Sequence, residues 1–93
     1  MEIGSPLGRT SAPLPLRLYL RSGCSLCEAM VLELHQLQLP DSVTIDYLDV
    51  DTFPEWQQAF GDKVPLLLTP DGQELSRYFL DPDVVIPYLA SGQ

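Results

Sequence analysis

The stretch that decides the fold runs from Leu16 to Cys27 and has the sequence LRLYLRSGCSLC. Its first five residues, Leu16–Leu20, alternate aliphatic side chains with Arg17 and Tyr19, as a short β-strand does. After a small turn the spacing of the apolar residues changes from two to three and four, which is typical of a helix. We therefore predict a strand that leads into a helix. The apolar stripe of this helix contains Cys27, Met30, Val31, Leu34 and Leu37, and Pro40 closes it.

A second strand follows this helix. Val43, Ile45 and Tyr47 alternate with polar residues before an acidic turn at residues 48–51. A connection that contains a helix makes its two strands parallel, with a right-handed crossover. The N-terminal half is therefore predicted to be a β-α-β unit.

The rest of the chain predicts a second helix and then a hairpin. Thr52 is a candidate N-cap for a short helix at Pro54–Phe60, and Gly61 stands just beyond its end. Two segments, at residues 64–68 and 73–77, flank a Pro-Asp-Gly turn, which is typical of antiparallel strands.

A third helix is predicted near the C-terminus, with Asp81 as its cap and Pro82 in its first turn. Pro87 lies inside this segment, where proline lacks the N–H that a helix needs, so we expect a kink or a later helix start. The predicted class is α/β, with a four-stranded mixed sheet and three helices in the order β-α-β-α-β-β-α.

Length and charge narrow the classes of function. The chain has 93 residues and a formal net charge of −8, so it supports one domain and repels phosphate backbones and anionic lipid. We expect no nucleic-acid partner, no membrane partner and a monomer. Residues 1–15 are interpreted as a flexible leader without the features of a secretory signal, and residues 16–93 as a single domain. The expected location is the cytoplasm, where thiols stay reduced.

The pair Cys24 and Cys27 carries the chemistry. A C-x-x-C sequence that follows a strand and opens a helix places both sulfur atoms on one side of the first helical turn. Cys24 lies beside unpaired helix N–H groups, which stabilise a thiolate, so it is the candidate nucleophile. Cys27 falls on the apolar stripe and is expected to be more buried, which suits a thiol that resolves a mixed disulfide.

Two other interpretations of the cysteines stay open at this point, a metal half-site and a pair of inert core residues. A closed zinc site needs four ligands. The single histidine, His35, lies eight residues beyond Cys27, about 12 Å along a helix axis. We therefore predict no metal site within one chain. Arg21 either binds a substrate carboxylate beside the dithiol or is a solvated charge at a strand end.

The motif Arg21-Ser22-Gly23-Cys24-Ser25-Leu26-Cys27, followed by Val64-Pro65 and Asp71-Gly72, resembles the glutaredoxin branch of the thioredoxin superfamily over residues 16–89. The match is closest to small glutaredoxin-like proteins with C-x-L-C motifs. The resemblance implies a thioredoxin-like fold and a cis Pro65 that faces the dithiol, with the Val64 backbone open to a substrate chain. A trans proline at a strand entrance is the alternative.

The resemblance implies a thiol–disulfide oxidoreductase or electron carrier that uses no resident cofactor, with glutathione as a co-substrate. Its substrate would be a protein disulfide or a glutathione-type disulfide, and its electron donor a reductase or glutathione. The alternative is a binding protein that keeps the fold without catalysis, or an iron–sulfur carrier. Whether the chain is an enzyme is left open by the residues themselves.

Two positions depart from the family pattern. Ser25 replaces a proline that is common after the first cysteine, and Ser76-Arg77 occupies the region of an expected glycine pair. An arginine at that corner would either obstruct glutathione or bind a carboxylate. The candidate site is made of catalytic and substrate-binding residues. The catalytic residues are Cys24 and Cys27, and the substrate-binding residues are Arg21, Val64, Pro65, Ser76 and Arg77.

Overall fold

A computed structural model describes residues 15–90 of the chain. The expected leader therefore lies outside the described residues, except for Pro15, and so do the last three residues of the expected domain. The elements follow the predicted order, with a short 3₁₀ turn added after the second strand. They are β1 (Leu16–Leu20), α1 (Ser25–Gln36), β2 (Ile45–Asp49), the 3₁₀ turn (Val50–Thr52), α2 (Pro54–Phe60), β3 (Leu66–Leu68), β4 (Glu74–Arg77) and α3 (Pro82–Ala90).

The four strands form one mixed sheet in the spatial order β2-β1-β3-β4. Strands β1 and β2 are parallel, with Leu16 opposite Ile45 and Leu20 opposite Asp49. Strand β3 is antiparallel to both β1 and β4, and the ladder between β3 and β4 shifts register between Leu67 and Leu68. The fold is thioredoxin-like, and the predicted α/β class with a four-stranded mixed sheet and three helices is confirmed.

Two apolar clusters cover the two faces of this sheet. The larger one joins strand residues such as Leu18 and Leu67 to Met30 and Leu34 of α1 and to Val85 of α3. All five of these side chains are at most 1% exposed. Full burial of side chains of this size contributes about 1.5–3 kcal/mol each. Helices α1 and α3 therefore pack on the same face.

The second cluster lies on the opposite face, where aromatic rings of α2 pack against β1. The ring of Tyr19 stacks on Phe60 at 4.3 Å between centroids and meets the edge of Trp56 at 5.3 Å. Val50 of the 3₁₀ turn is fully buried in the same cluster. Strand β1 is thus covered on both faces.

Two element boundaries differ from the predictions in the N-terminal half. The second strand is Ile45–Asp49 instead of the expected alternation from residue 43, because β1 begins at Leu16, opposite Ile45, and ends at Leu20, opposite Asp49. Helix α1 ends at Gln36, well before Pro40, and the backbone of Gln38 takes a φ of 55°. A left-handed residue cannot continue a right-handed helix.

Two predicted helix starts also require correction. Phe53 occupies the N-cap position of α2, with no side-chain hydrogen bond, so the prediction of Thr52 as the cap is wrong. Thr52 belongs instead to the 3₁₀ turn. Helix α3 begins at Pro82 and runs through Pro87, so a later start is wrong as well. Pro87 has no N–H to donate to the carbonyl oxygen of Asp83, one turn earlier in the helix. Both residues are exposed, so water can donate a hydrogen bond to that oxygen instead.

Asp81 acts as predicted at the start of α3. Its side chain accepts a hydrogen bond from the backbone N–H of Asp83 at 3.1 Å. Within residues 15–90, no helix combines the length and the apolar character that crossing a bilayer requires.

Candidate functional site

The site begins in the turn that joins β1 to α1. Gly23 has a φ of +74°, a conformation that residues with a side chain adopt at a cost, and no atom would crowd a Cβ there. Glycine is therefore needed for its backbone and not for space. The turn lets Cys24 take an extended conformation, with φ −100° and ψ 111°, from which α1 starts at Ser25.

Cys24 is the N-cap residue of α1. Its Sγ atom accepts a hydrogen bond from the backbone N–H of Cys27 at 3.2 Å, and its carbonyl accepts one from the N–H of Glu28 at 3.1 Å. A sulfur atom here takes the place of the oxygen that Ser, Thr, Asp or Asn normally provides at a helix start. The side chain is partly exposed, and the thiol is not in a disulfide.

Cys27 lies one turn further along and faces the core. It is 3% exposed and its thiol is also free. Burial raises the pKa of Cys27 to about 11, and its hydrogen bond with the Cys24 side chain adds to the rise. The backbone N–H of Arg21 and the positive charge of that residue oppose it. The two thiols therefore differ in access, as the apolar stripe predicts.

Arg21 lies at the end of β1, and all three of its guanidinium nitrogens have partners. Nε donates to Oδ2 of Asp51 and Nη2 to Oδ1 of the same carboxylate, both at 3.2 Å. Nη1 donates to the carbonyl oxygen of Gly61, also at 3.2 Å. The hydrogen bond with Asp51 is the largest cause of a raised Arg21 pKa. Arg21 is thus neither a simple solvated charge nor an unoccupied ligand group.

Val64 and Pro65 directly precede β3, and the peptide bond between them is cis. Pro65 is fully buried, and its carbonyl oxygen accepts a hydrogen bond from the backbone N–H of Tyr78 at 2.8 Å. Leu66 pairs with Tyr19 in the antiparallel ladder, so the start of β3 lies beside the end of β1. The sheet thereby brings Pro65 to the same edge as the turn before Cys24.

The two residues at the expected glycine corner have different environments. Ser76 is 3% exposed, and its hydroxyl accepts a hydrogen bond from the backbone N–H of Asp81 at 2.9 Å. The hydroxyl therefore holds the connection to α3, and the place of Ser76 in the substrate-binding set stays a prediction. Arg77 is exposed and forms an ion pair with Glu74 at 2.7 Å.

Three features of the site were missed by sequence reasoning. Asp51 could have been found, because it follows β2 and the carboxyl ends of the parallel strands β1 and β2 meet at one edge. Gly61 was interpreted only as a helix end. Tyr78 has a φ of 68°, and no signal in a tyrosine predicts a left-handed backbone.

Among residues 15–90, no three His, Cys, Asp or Glu side chains are gathered in a way that could hold a metal ion. What the arrangement offers chemically is a partly exposed thiol, a buried thiol one turn away and a guanidinium beside them. The charge of Arg21 acts on both cysteines.

Comparison with known proteins gives one matching family and several similar solved structures. The family model for the Glutaredoxin-like domain (DUF836) matches residues 15–90. None of the curated proteins matches the chain in sequence.

The first similar structure is a solution NMR structure of a protein from Nitrosomonas europaea. It is 32% identical in sequence, with a TM-score of 0.70, and the match covers 88% of this chain and 98% of that one. The second is an X-ray structure of a structural genomics target from X. campestris. It is 28% identical, with a TM-score of 0.67, over 82% of this chain and 96% of that one.

Proposed function

The chain belongs to the Glutaredoxin-like domain (DUF836) family, and from this membership we propose that it is a thiol–disulfide oxidoreductase or electron carrier. The observation that carries the proposal is the difference in exposure between the two thiols. Cys24 is partly exposed at a helix start, and Cys27 is buried one turn behind it. Such a pair can form a bond with a partner at one sulfur and release the partner with the other.

The reaction has two exchange steps. The thiolate of Cys24 attacks one sulfur of a substrate disulfide, so an S–S bond forms between Cys24 and the substrate while the substrate's own S–S bond breaks. The first substrate sulfur leaves as a thiolate and takes up a proton. Cys27 then loses its proton and attacks Cys24. The second substrate thiol is released, and Cys24 and Cys27 are joined in a disulfide.

Two electrons pass from the dithiol to the substrate in this sequence. A reductase dithiol, or two glutathione thiols, would return them and open the Cys24–Cys27 disulfide. We propose no resident cofactor, because sulfur atoms alone carry the electrons. A reducing cytoplasm fits this cycle, since its thiol pool regenerates the reduced pair. We also propose that the chain acts as a monomer.

The substrate would lie along the edge that Val64, Pro65 and Cys24 share. The Val64 backbone, just before β3, is a candidate partner for an extended protein substrate, in the manner of a strand added to a sheet. Arg77 is kept as a contact candidate, because its backbone pairs with Leu66, one residue after Pro65.

The proposal is tested by mild oxidation with diamide or oxidised glutathione, followed by intact mass measurement. We expect the monomer to lose two protons and both free thiols. The Cys27→Ser variant is the matched control, because it keeps Cys24 and cannot form the intramolecular bond. Persistence of two free thiols in the native chain would contradict the proposal.

A second measurement gives the reduction potential of the Cys24–Cys27 pair. Titration in glutathione redox buffers, with thiols counted at each point, should give a reversible two-electron transition. Visible absorption by the freshly purified protein would instead indicate an iron–sulfur carrier. A dithiol that never exchanges at any buffer ratio would favour the non-catalytic binding protein.

A further inference from the structure

Arg21 provides the starting observation, because each of its three guanidinium nitrogens donates a hydrogen bond within the protein. The carboxylate of Asp51 accepts hydrogen bonds from Nε and Nη2 of Arg21, and the carbonyl oxygen of Gly61 accepts one from Nη1. Both side chains of the ion pair remain accessible, at 41% and 46% exposure. An arginine presents a planar fork that fits one carboxylate with two parallel hydrogen bonds. Here that fork already holds a carboxylate.

Asp51 is in turn held in place from two sides. Its Oδ1 accepts a hydrogen bond from the side-chain amide of Gln57 at 3.3 Å. Its backbone N–H donates to Oδ1 of Asp49 at 2.8 Å. The carboxylate is therefore fixed by α2 and by the 3₁₀ turn, as well as by Arg21. An isolated surface ion pair contributes little, but one with two-point geometry and fixed partners is harder to displace.

The charges around this pair are mostly negative. Asp49 lines the same surface cleft as Arg21 and Ser22, and its charge also acts on the guanidinium. The charge of Arg21 interacts with Cys24 and lowers the pKa of Cys27 against the effect of burial. With Asp51 bound to it, the positive charge near Cys24 is largely compensated. An anionic reagent that approaches the sulfur gains little from Arg21 and is repelled by Asp49.

We propose that Asp51 is a specificity-determining residue, which occupies the guanidinium of Arg21 and so selects against disulfides whose sulfur atoms are flanked by carboxylates. The inference rests on the proposed function of the dithiol. It names the favoured substrate class as disulfides in neutral or positively charged surroundings. Small anionic disulfides of the glutathione type are the disfavoured class, because their carboxylates compete with Asp51 for the two-point contact with Arg21.

The test uses the alkylation of Cys24 by two reagents that differ in charge, iodoacetate and iodoacetamide. Cys27 is buried with a pKa of about 11, so Cys24 is the thiol that reacts near neutral pH, and peptide mass mapping identifies it. The ratio of the two rates is divided by the same ratio for the chain unfolded in urea. This normalised ratio measures how much the folded site slows or speeds the reaction of Cys24 with a negatively charged reagent.

The Asp51→Asn variant should raise the normalised ratio by about threefold, as expected for one unit charge released close to the sulfur in water. Asp46→Asn is the matched control, because Asp46 is an exposed carboxylate on β2 and its loss changes the net charge equally. We expect that variant to leave the ratio unchanged. An unchanged ratio in Asp51→Asn, or an equal rise in Asp46→Asn, would overturn the proposal.

A second comparison asks whether Asp51 acts through Arg21. In the Arg21→Gln background, Asp51→Asn should raise the ratio less than it does when Arg21 is present. An equal rise in both backgrounds would mean that Asp51 acts by its own charge alone, and would overturn the assignment. Circular dichroism of each variant confirms that the comparison is made on folded protein.

The proposed function and this inference fail separately. Alkylation needs only a thiol, so the ratios decide the role of Asp51 even if the chain reduces no disulfide. For an active dithiol, Asp51→Asn should raise kcat/KM for a glutathione mixed disulfide by a similar factor and leave a neutral disulfide such as hydroxyethyl disulfide unchanged. Equal effects on both substrates would overturn the inference while leaving the exchange activity intact.

Discussion

The backbone N–H of Cys27 donates a hydrogen bond to the Sγ atom of Cys24 at 3.2 Å, so the sulfur of the first cysteine caps the helix that carries the second. One atom therefore serves two purposes. It closes an unsatisfied N–H at the start of α1, and it is the sulfur that the proposed function places in contact with substrate.

The capping role predicts that two variants of Cys24 differ in stability. Serine is among the best N-cap residues and alanine is a poor one. Cys24→Ala should therefore unfold with a free energy about 1 kcal/mol lower than that of Cys24→Ser. Urea denaturation measures the difference. Ser22→Ala, an exposed change in the preceding turn, is the control and should alter stability by less than about 0.5 kcal/mol. Equal stabilities of the two Cys24 variants would show that no side chain at this position caps the helix effectively.

The proposed roles of the two cysteines predict opposite behaviour in a trapping experiment. Cys24→Ser should lose reaction with disulfides almost entirely, because the remaining thiol is 3% exposed. Cys27→Ser should still attack, and should accumulate a mixed disulfide that it cannot resolve internally. Non-reducing electrophoresis with alkylated samples counts the trapped species. If Cys24→Ser forms the mixed disulfide faster, the roles are reversed.

The raised pKa of Cys27 predicts that stability depends on alkaline pH. In the folded chain this thiol keeps its proton up to a pKa of about 11, whereas an unfolded cysteine loses it near about 8.5. Between these values the unfolded state binds fewer protons, so the free energy of unfolding should fall as the pH rises. The expected loss is about 3 kcal/mol across this range.

Other groups also titrate at alkaline pH, so the measurement is the difference between the native chain and Cys27→Ala in a phosphine reductant. Below about pH 8.5 this difference should be constant. Above it, the advantage of the native chain should shrink with each step in pH. Two stability curves that stay parallel up to pH 11 would contradict the assignment of that pKa to Cys27.

The left-handed backbone of Tyr78 predicts that the usual order of stability of alanine and glycine variants is reversed at this position. At a φ of 68° an L-residue with a Cβ is disfavoured relative to glycine. Tyr78→Gly should therefore be more stable than Tyr78→Ala by about 1 kcal/mol. Both variants lose the same ring, so their difference isolates the backbone. Thermal denaturation that ranks alanine above glycine would contradict the conformation.

The hydroxyl of Tyr78 makes a separate prediction. It donates a hydrogen bond to the carbonyl oxygen of Asp62 at 2.8 Å, which ties the corner after β4 to the loop before Val64. Tyr78→Phe should lower the free energy of unfolding by about 1 kcal/mol. The control is Tyr47→Phe, whose hydroxyl meets His35 at 3.3 Å on the exposed surface. A similar loss in both variants would count against a specific role for Tyr78.

The element order could be predicted because it depends on local periodicity. The change from period two to spacings of three and four after Gly23 marks the end of β1 and the start of α1. The Pro-Asp-Gly turn marks the hairpin in the same way. The depth of Cys27 also follows from its place on the apolar stripe, and its 3% exposure agrees.

What could not be predicted depends on contacts between residues distant in sequence. Asp51 lies 30 residues from Arg21, and no local pattern marks their ion pair, although the predicted parallel pairing of β1 and β2 could have indicated it. The buried hydroxyl of Ser76 has a partner in the loop before α3, which no pattern within β4 reveals. Thr52 has the right residue type for a cap, but the 3₁₀ turn takes it before the helix begins. In each case tertiary structure decides between local options.

The difference in depth between Cys24 and Cys27 also bears on how the chain would survive oxidative damage. Peroxide would convert the accessible Cys24 thiolate to a sulfenic acid, the first step of cysteine oxidation and still a reversible one. Cys27 lies one turn away, so its thiol can condense with that sulfenic acid, forming the disulfide and releasing water. The sulfur of Cys24 would then not be oxidised further to sulfinic or sulfonic acid, which are products that cells cannot generally reduce. On this route, the buried cysteine would protect its exposed neighbour from irreversible oxidation.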